Sequence, residues 1–341
     1  MDRPLEAPGT VLGLVLSRAL VTGCAGFIGS HLTEDLLRDG VAVLGVDCFN
    51  ENYARQQKLR NLERAREWDG FDFVPVDLAR GDLVDLVADS DAIFHLAAEP
   101  GVRSSWGDRF EHYVRNNVIA TQHLLESSRG VAGRRFVFAS SSSIYGDAEA
   151  LPTPEDVTPN PVSPYGVTKL AGEQLCRAYH LNWAVEVVCL RYFSVYGPRQ
   201  RPDMAFTRFC RAAIRDEPIT VYGDGRQTRD FTYVDDIVRA TRAAAESDSA
   251  VGGVYNIAAG NQRSVNDALA VIERCAGRRL TVDRLPPEKG DVGNTSAATA
   301  LARRDLGFQP ASSWEDGLRA QFAWALEVAQ VEGHPRASIS R

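Results

Sequence analysis

Arg18-Ala19-Leu20-Val21-Thr22-Gly23-Cys24-Ala25-Gly26-Phe27-Ile28-Gly29-Ser30 is an apolar run that breaks into three spaced glycines, followed by leucines at 32, 36 and 37. The run reads as a buried strand and the leucine spacing as a helix, so the stretch is strand, glycine turn, helix. Glycines at these points allow a tight turn, close approach of backbone to a pyrophosphate, and packing of helix on sheet. The helix N-terminus adds N–H donors and a partial positive charge. The spacing is G-x-x-G-x-x-G rather than G-x-G-x-x-G. Gly23, Gly26, Phe27, Ile28 and Gly29 are therefore candidate dinucleotide contacts.

Residues 41–46 form a second apolar strand, which ends at Asp47, eighteen residues past Gly29. A carboxylate there accepts hydrogen bonds from ribose hydroxyls and repels a 2′-phosphate, so the expected cofactor is NAD rather than NADP. Asn50, in the loop beyond, is grouped with it. Further on, strands and helices continue to alternate, which points to an α/β fold with a mostly parallel sheet. A charged helical stretch spans about 56–68, and a strand at 71–75 leads to Asp77-Leu78, where the carboxylate can meet an adenine amino group. The strand from 91 ends in Leu96, Ala97 and Ala98, small or apolar residues that let a cofactor lie against the backbone. His95, closing an apolar strand, reads as a packed residue. One long helix is expected over about 107–129, then strands at 135–139 and 185–191. Beyond these, prolines at 198, 202 and 218 loosen the pattern, which suggests a smaller substrate-covering region.

The strand at 135–139 delivers Ser140-Ser141-Ser142-Ser143-Ile144-Tyr145-Gly146, followed by Pro164-Tyr165-Gly166-Val167-Thr168-Lys169. Tyr165 and Lys169 lie four apart, one helical turn, and so share a face. A cation there favours the phenolate, and a serine hydroxyl can share the proton between substrate and tyrosine. Tyr165 reads as a base, Lys169 as its partner and a hydroxyl of the serine run as the relay.

At 341 residues and 44% apolar composition the chain can bury a large core, and no apolar run approaches the ~18 residues of a membrane span. A net charge of −7 provides no global attraction for nucleic acid. Six cysteines without C-x-x-C spacing are expected to be reduced thiols in a cytoplasmic protein, with no metal site.

Taken together, these motifs resemble the extended short-chain dehydrogenase/reductase family, in particular its nucleotide-sugar epimerases and dehydratases, from about Arg18 to Gly307. The resemblance implies a Rossmann-type, doubly wound, mostly parallel sheet of about seven strands with a smaller C-terminal substrate domain. The expected division is an N-terminal extension at 1–17 and an NAD-binding domain at 18–194 that gains a late strand near 253–258. A nucleotide-sugar region at 195–330 and a flexible tail at 331–341 complete it. It further implies tightly held NAD, a UDP-sugar substrate, and homodimers packed through helices at about 107–130 and 165–181.

By the same resemblance Asn117 contacts NAD, as do Tyr165 and Lys169, Arg229 clamps the sugar-nucleotide diphosphate, and Asp291 meets the nucleotide ribose. The family's catalytic hydroxyl, four residues before Tyr145, falls on Ser141, and Ser141, Ser142, Ser143 and Tyr165 would face the sugar. Ser143 stands where dehydratases and decarboxylases of this kind usually carry Glu, which removes the usual base for abstraction at C5. Cys24 replaces a common glycine and Glu99 a common glutamine.

Residues 45–53, Gly101-Val102-Arg103-Ser104 and the loop from Arg191 to Met204 are most similar to the UDP-glucuronate 4-epimerases. Arg103, Ser194, Arg199 and Arg201 are then expected near the substrate, with one of the loop arginines meeting a C6 carboxylate. Other readings are a UDP-glucose or UDP-N-acetylglucosamine 4-epimerase, a nucleotide-sugar dehydratase or decarboxylase, and an NAD-binding scaffold or sensor without activity.

Overall fold

The structure, a computed structural model, describes residues 14–80, 83–148, 150–286 and 293–333. In chain order the strands are β1 (Arg18–Thr22), β2 (Ala42–Asp47), β3 (Phe71–Pro75), β4 (Ala92–His95), β5 (Arg135–Ser141) and β6 (Glu186–Tyr192). They continue with β7 (Ser194–Tyr196), β8 (Ile219–Tyr222), β9 (Thr228–Tyr233), β10 (Val254–Ile257), β11 (Gln262–Ser264) and β12 (Val282–Leu285). Among the described residues one seven-stranded sheet has the order β10-β6-β5-β4-β1-β2-β3, with every pairing parallel. This is a Rossmann-type sheet whose order reverses between β1 and β4, and ligands of such sheets bind at the carboxyl ends of the strands beside that reversal.

Side-chain alternation sends each central strand into two cores. Ala19 and Val21 pack with Leu32, Leu36 and Ile237 on one face, and Leu20 packs with Leu124, Phe136 and Phe138 on the other. Because both faces are covered, β4 and the first six residues of β5 are buried throughout, hence the continuous apolar runs Ala92-Ile93-Phe94 and Phe136-Val137-Phe138-Ala139 within them.

A second core joins the helices Ala205–Arg215, Val265–Ala276 and Trp314–Val331 through Phe206, Phe209, Ile272, Leu318 and Phe322. The two cores interleave along the chain. The helix Val234–Glu246 packs on the large sheet, although the sequence reading returned only a strand near 253–258 to that domain. The reason is geometric: β10 lies parallel to β6, and a parallel neighbour needs a crossover, here helical.

The helix expected over 107–129 is not uniform. A 3-10 turn, the α-helix Phe110–Tyr113, a π-helical turn Val114–Ile119 and the α-helix Ala120–Ser127 follow one another. Such wide turns often sit at functional sites, and hydrophobic periodicity does not reveal them.

Candidate active site

A cleft of about 210 Å³ opens at the carboxyl ends of β1, β2 and β4. A Cβ on Gly29 would stand 2.1 Å from the Gly23 carbonyl oxygen, so the turn closes only with glycine there. No described side chain caps the helix Phe27–Arg38 and its first turn holds no acid, so its N–H groups face the cleft available to an anion. Asp47 accepts a hydrogen bond from the Phe49 N–H at 2.8 Å. Burial raises its carboxyl, while the Lys58 charge pulls it back down. Glycine turn, uncapped helix and buried carboxylate together fit a dinucleotide.

Phe27, Ile28, Asn50, Leu78, Leu96 and Ala98 also line this cleft, as do Gly23, Gly26, Gly29, Asp47, Asp77, Ala97, Tyr165 and Lys169. The Asp77 carboxylate holds the Ala79 N–H at 3.1 Å and is ion-paired with Arg115, so it reaches the cleft already partnered. Asn117 does not line the cleft; its neighbour Asn116 does. Asn117 is buried and spends its amide on the Glu99 backbone, accepting from N–H at 2.7 Å and donating to C=O at 3.0 Å. It also donates to Thr168 Oγ1 at 3.0 Å. The π-helical turn swings Asn116 to the cleft and leaves Asn117 to fix the loop after β4 to the next helix.

Sequence reasoning missed Lys58. It is buried on the same cleft, donates to the Asn50 carbonyl at 2.8 Å and lies 5.0 Å from the Tyr53 ring centre. Nothing marked it within a charged helical stretch, and only folding turns it inward. Asp47→Ala is expected to lose about 1–3 kcal/mol of NAD affinity, the cost of a charged hydrogen bond left unmade. Discrimination against NADP should narrow as well, because the Lys58 charge is then unopposed. Titration calorimetry with both cofactors checks this, and equal affinities in the unaltered protein would overturn it.

Tyr165 sits in the first turn of the helix Pro164–Trp183, which starts by the usual logic: Ser163 accepts the Gly166 N–H at 3.1 Å, and Pro164 occupies a position whose N–H needs no partner. A Cβ on Gly166 would lie 2.5 Å from the Ser143 carbonyl oxygen, so this glycine lets the serine turn rest on the helix start. In that turn Ser141 Oγ accepts the Ser143 N–H and donates to Ser143 Oγ, both at 3.1 Å. The Tyr165 phenol is pushed up by burial, and is lowered by its hydrogen bond with Ser141 and by the Arg201 charge.

The Arg201 charge thus favours the phenolate, and Lys169 lines the same cleft as Tyr165. Lys169 Nζ donates to the Ala139 carbonyl near the end of β5 at 2.8 Å and lies 5.1 Å from the Phe138 ring centre. Burial lowers Lys169 to about 8, so it is charged below that pH and neutral above it. A step that uses its charge loses rate as pH rises through about 8. The pH–rate profile should show that alkaline limb, and Lys169→Met should lack it on a lower plateau.

Beneath this turn lies a buried charge network that the sequence reading did not anticipate. Arg191 binds Glu173 through two bonds of 3.0 and 2.9 Å and donates to the Tyr145 hydroxyl at 2.7 Å, while Ser140 donates to Glu173. A pair this well satisfied fixes β5, β6 and the helix in register, and losing one partner strands a buried charge.

A second cleft, of about 500 Å³, is lined by Arg103, Ser194, Arg201, Tyr222, Arg229 and Phe231 among others. Arg103 stacks over Tyr222 at 4.7 Å, and Arg229 donates to the Thr228 and Gly293 carbonyls at 2.9 and 2.8 Å. Arg201 lines both clefts, so it stands where a cofactor and a second ligand would meet. Ser141, Ser142 and Ser143 form the turn beside Tyr165 and line neither cleft. Asp291 lies outside the described residues.

Arg199 departs from its expected place. It adopts φ +64, in the left-handed region, and pairs with Glu34 at 2.6 Å, away from both clefts. The pair ties the loop to the helix Phe27–Arg38. His31 of that helix also meets the Pro198 carbonyl at 3.0 Å. His95 is held between Thr22 and Thr121 at 2.8 and 2.9 Å, and burial lowers it to about 3, so it is a neutral packed residue.

A model of the NAD dependent epimerase/dehydratase family matches residues 19–258. The chain is 43% identical to a UDP-glucuronic acid 4-epimerase from Bacillus cereus, solved in complex with UDP-glucuronic acid and NAD, with a TM-score of 0.88 over 91% of this chain and 99% of that one. It is 37% identical to a UDP-glucuronate 4-epimerase of Thermodesulfobacterium geofontis, over 92% of this chain and 97% of the relative. It is also 42% identical to the uncharacterized UDP-glucose epimerase YtcB of Bacillus subtilis, over 92% of this chain and 100% of that protein.

Proposed function

We propose that this chain, which belongs to the NAD dependent epimerase/dehydratase family, is a UDP-glucuronate 4-epimerase that interconverts UDP-glucuronate and UDP-galacturonate through a 4-keto intermediate. The observation that carries the reading is the position of Arg201, a guanidinium on the wall between the two clefts whose charge acts on the Tyr165 phenol. Relatives with this activity support it.

Tyr165, with Ser141 sharing the proton, takes the proton of the C4 hydroxyl and later returns it. Bound NAD supplies reversible hydride acceptance at C4. Arg229 and Arg103 hold the diphosphate end of the UDP-sugar, and Asp291 is assigned to the nucleotide ribose. Arg201, with Ser194 on the same wall, holds the C6 carboxylate. That grip matters because a 4-ketouronate is a β-keto acid and loses carbon dioxide once electrons flow out of the carboxylate. A guanidinium that keeps the negative charge on the carboxylate opposes this. Ser143, a hydroxyl without basic character, leaves C5 unattacked and disfavours dehydration.

A UDP-glucose 4-epimerase is the second reading, favoured by the 42% identity to the Bacillus subtilis protein. Incubating the protein separately with UDP-glucuronate, UDP-glucose and UDP-N-acetylglucosamine and identifying each product decides between them. Turnover of UDP-glucose alone would return the neutral-sugar reading to first place.

The protein is further proposed to be a homodimer. Phe110, Ile119, Val167 and Leu181 leave apolar surface exposed on the two helical stretches expected to pair. A cytoplasmic location agrees with six free cysteines, and no described helix is long and apolar enough to cross a membrane.

A further inference from the structure

Arg201 is already gripped by a carboxylate. Its Nε and Nη2 donate to the two oxygens of Asp203 at 3.0 and 2.8 Å, the fork geometry that guanidinium prefers. The contact is built by the backbone. Arg201-Pro202-Asp203-Met204 is a turn closed by the Met204 N–H on the Arg201 carbonyl at 3.1 Å, with proline at the position where its fixed φ favours turning. Asp203 is therefore returned over Arg201. Both line the second cleft, but the two ends of the pair differ in exposure: the Arg201 side chain is 20% exposed and that of Asp203 is 59% exposed.

Asp203 also has somewhere else to go. The helix Ala205–Arg215 begins directly after this turn with Met204 as its N-cap, its first turn holds no acid, and of its leading N–H groups that of Thr207 is already taken by Gln200 Oε1 at 3.2 Å. A carboxylate released from Arg201 stays next to the positive end of that helix, which softens the cost of leaving.

We propose that Asp203 tunes the affinity for an acidic sugar: it occupies the guanidinium fork of Arg201 as an internal competitor of the sugar carboxylate, so that a uronate binds by exchanging with it and Asp203 moderates the preference that Arg201 confers. The inference rests on the proposed contact between Arg201 and the C6 carboxylate. A uronate replaces one carboxylate by another and keeps the Arg201 charge compensated throughout. A neutral hexose has nothing to offer the fork, leaves Asp203 in place and gains nothing from Arg201. The exchange has a cost for the acidic ligand too, because Asp203 competes for the fork and, once displaced, remains a nearby negative charge.

The test compares Asp203→Asn and Arg201→Ala with the unaltered protein, reading the Michaelis constants for UDP-glucuronate and UDP-glucose and the dissociation constant of UDP. Asp203→Asn should lower the UDP-glucuronate constant by about two- to fivefold, the worth of a half-exposed ion pair. UDP-glucose and UDP should hardly change, and added salt should shrink the difference. If Asp203→Asn weakens UDP-glucuronate, Asp203 orients Arg201 instead and the proposal fails. If it changes all three ligands equally, or none, while Arg201→Ala still weakens UDP-glucuronate selectively, the proposal fails and the carboxylate contact stands. If Arg201→Ala itself shows no selectivity, the contact falls and the inference with it.

Discussion

Tyr165→Phe is expected to reduce turnover of UDP-glucuronate by roughly a hundred- to ten-thousand-fold, the range for removal of a general acid–base group. The substitution keeps the ring, which packs edge-on against Tyr113 with centroids 6.3 Å apart, so the helix start and the cleft wall should be preserved. UDP-sugar binding should therefore survive, and the loss should fall on the rate at saturation. Burial favours the neutral form of the phenol. Ionisation then depends on the groups that pull the other way, Ser141 by hydrogen bond and Arg201 by charge. Steady-state kinetics with a separate binding titration checks the assignment. A Tyr165→Phe protein that turns over within tenfold of normal would mean that another group accepts the C4 proton.

Arg201→Ala is expected to raise the Michaelis constant for UDP-glucuronate far more than it weakens plain UDP, because Arg229 and Arg103 remain on the second cleft. The expected loss is about 1.5–3 kcal/mol, the worth of a hydrogen bond to a charged group. Two further readouts follow from the geometry. A ketouronate no longer held by a cation should shed carbon dioxide and yield a UDP-pentose by-product. The acidic limb of the pH–rate profile should also move to higher pH. The sign follows from the charge: Arg201 stabilises the phenolate and lowers the Tyr165 phenol, so its removal raises that group and more alkali is needed to ionise it. Equal weakening of UDP and UDP-glucuronate, with no carbon dioxide, would place Arg201 on the phosphates and favour the neutral-sugar epimerase.

Much of the cofactor cleft could be read in the chain because its determinants are local. A glycine turn between a strand and a helix needs only about a dozen consecutive residues, and Asp47 follows at the end of the next strand. A contact that depends on the shape of a helical turn could not be read in the same way. Asn116 and Asn117 are adjacent and chemically identical, and only the π-helical turn at Val114–Ile119 decides that Asn116 lines the cleft while Asn117 holds the Glu99 backbone.

The amino-acid sequence by itself determined the parallel α/β sheet, the glycine cradle with Asp47, and the pairing of Tyr165 with a serine turn. The first two follow from hydrophobic period and backbone freedom, and the third from two short motifs about twenty residues apart. Tertiary structure alone brought a second cation to bear on the phenol. Lys169 lies one helical turn from Tyr165, but its ammonium is drawn to the carbonyl at the end of β5, and Arg201 arrives from a loop thirty-six residues further along. It decided equally between two arginines a single residue apart: a left-handed backbone turns Arg199 onto Glu34, and the turn at Pro202 holds Arg201 on the cleft. Charges act through space, and the distances that rank them arise only when remote segments are packed together.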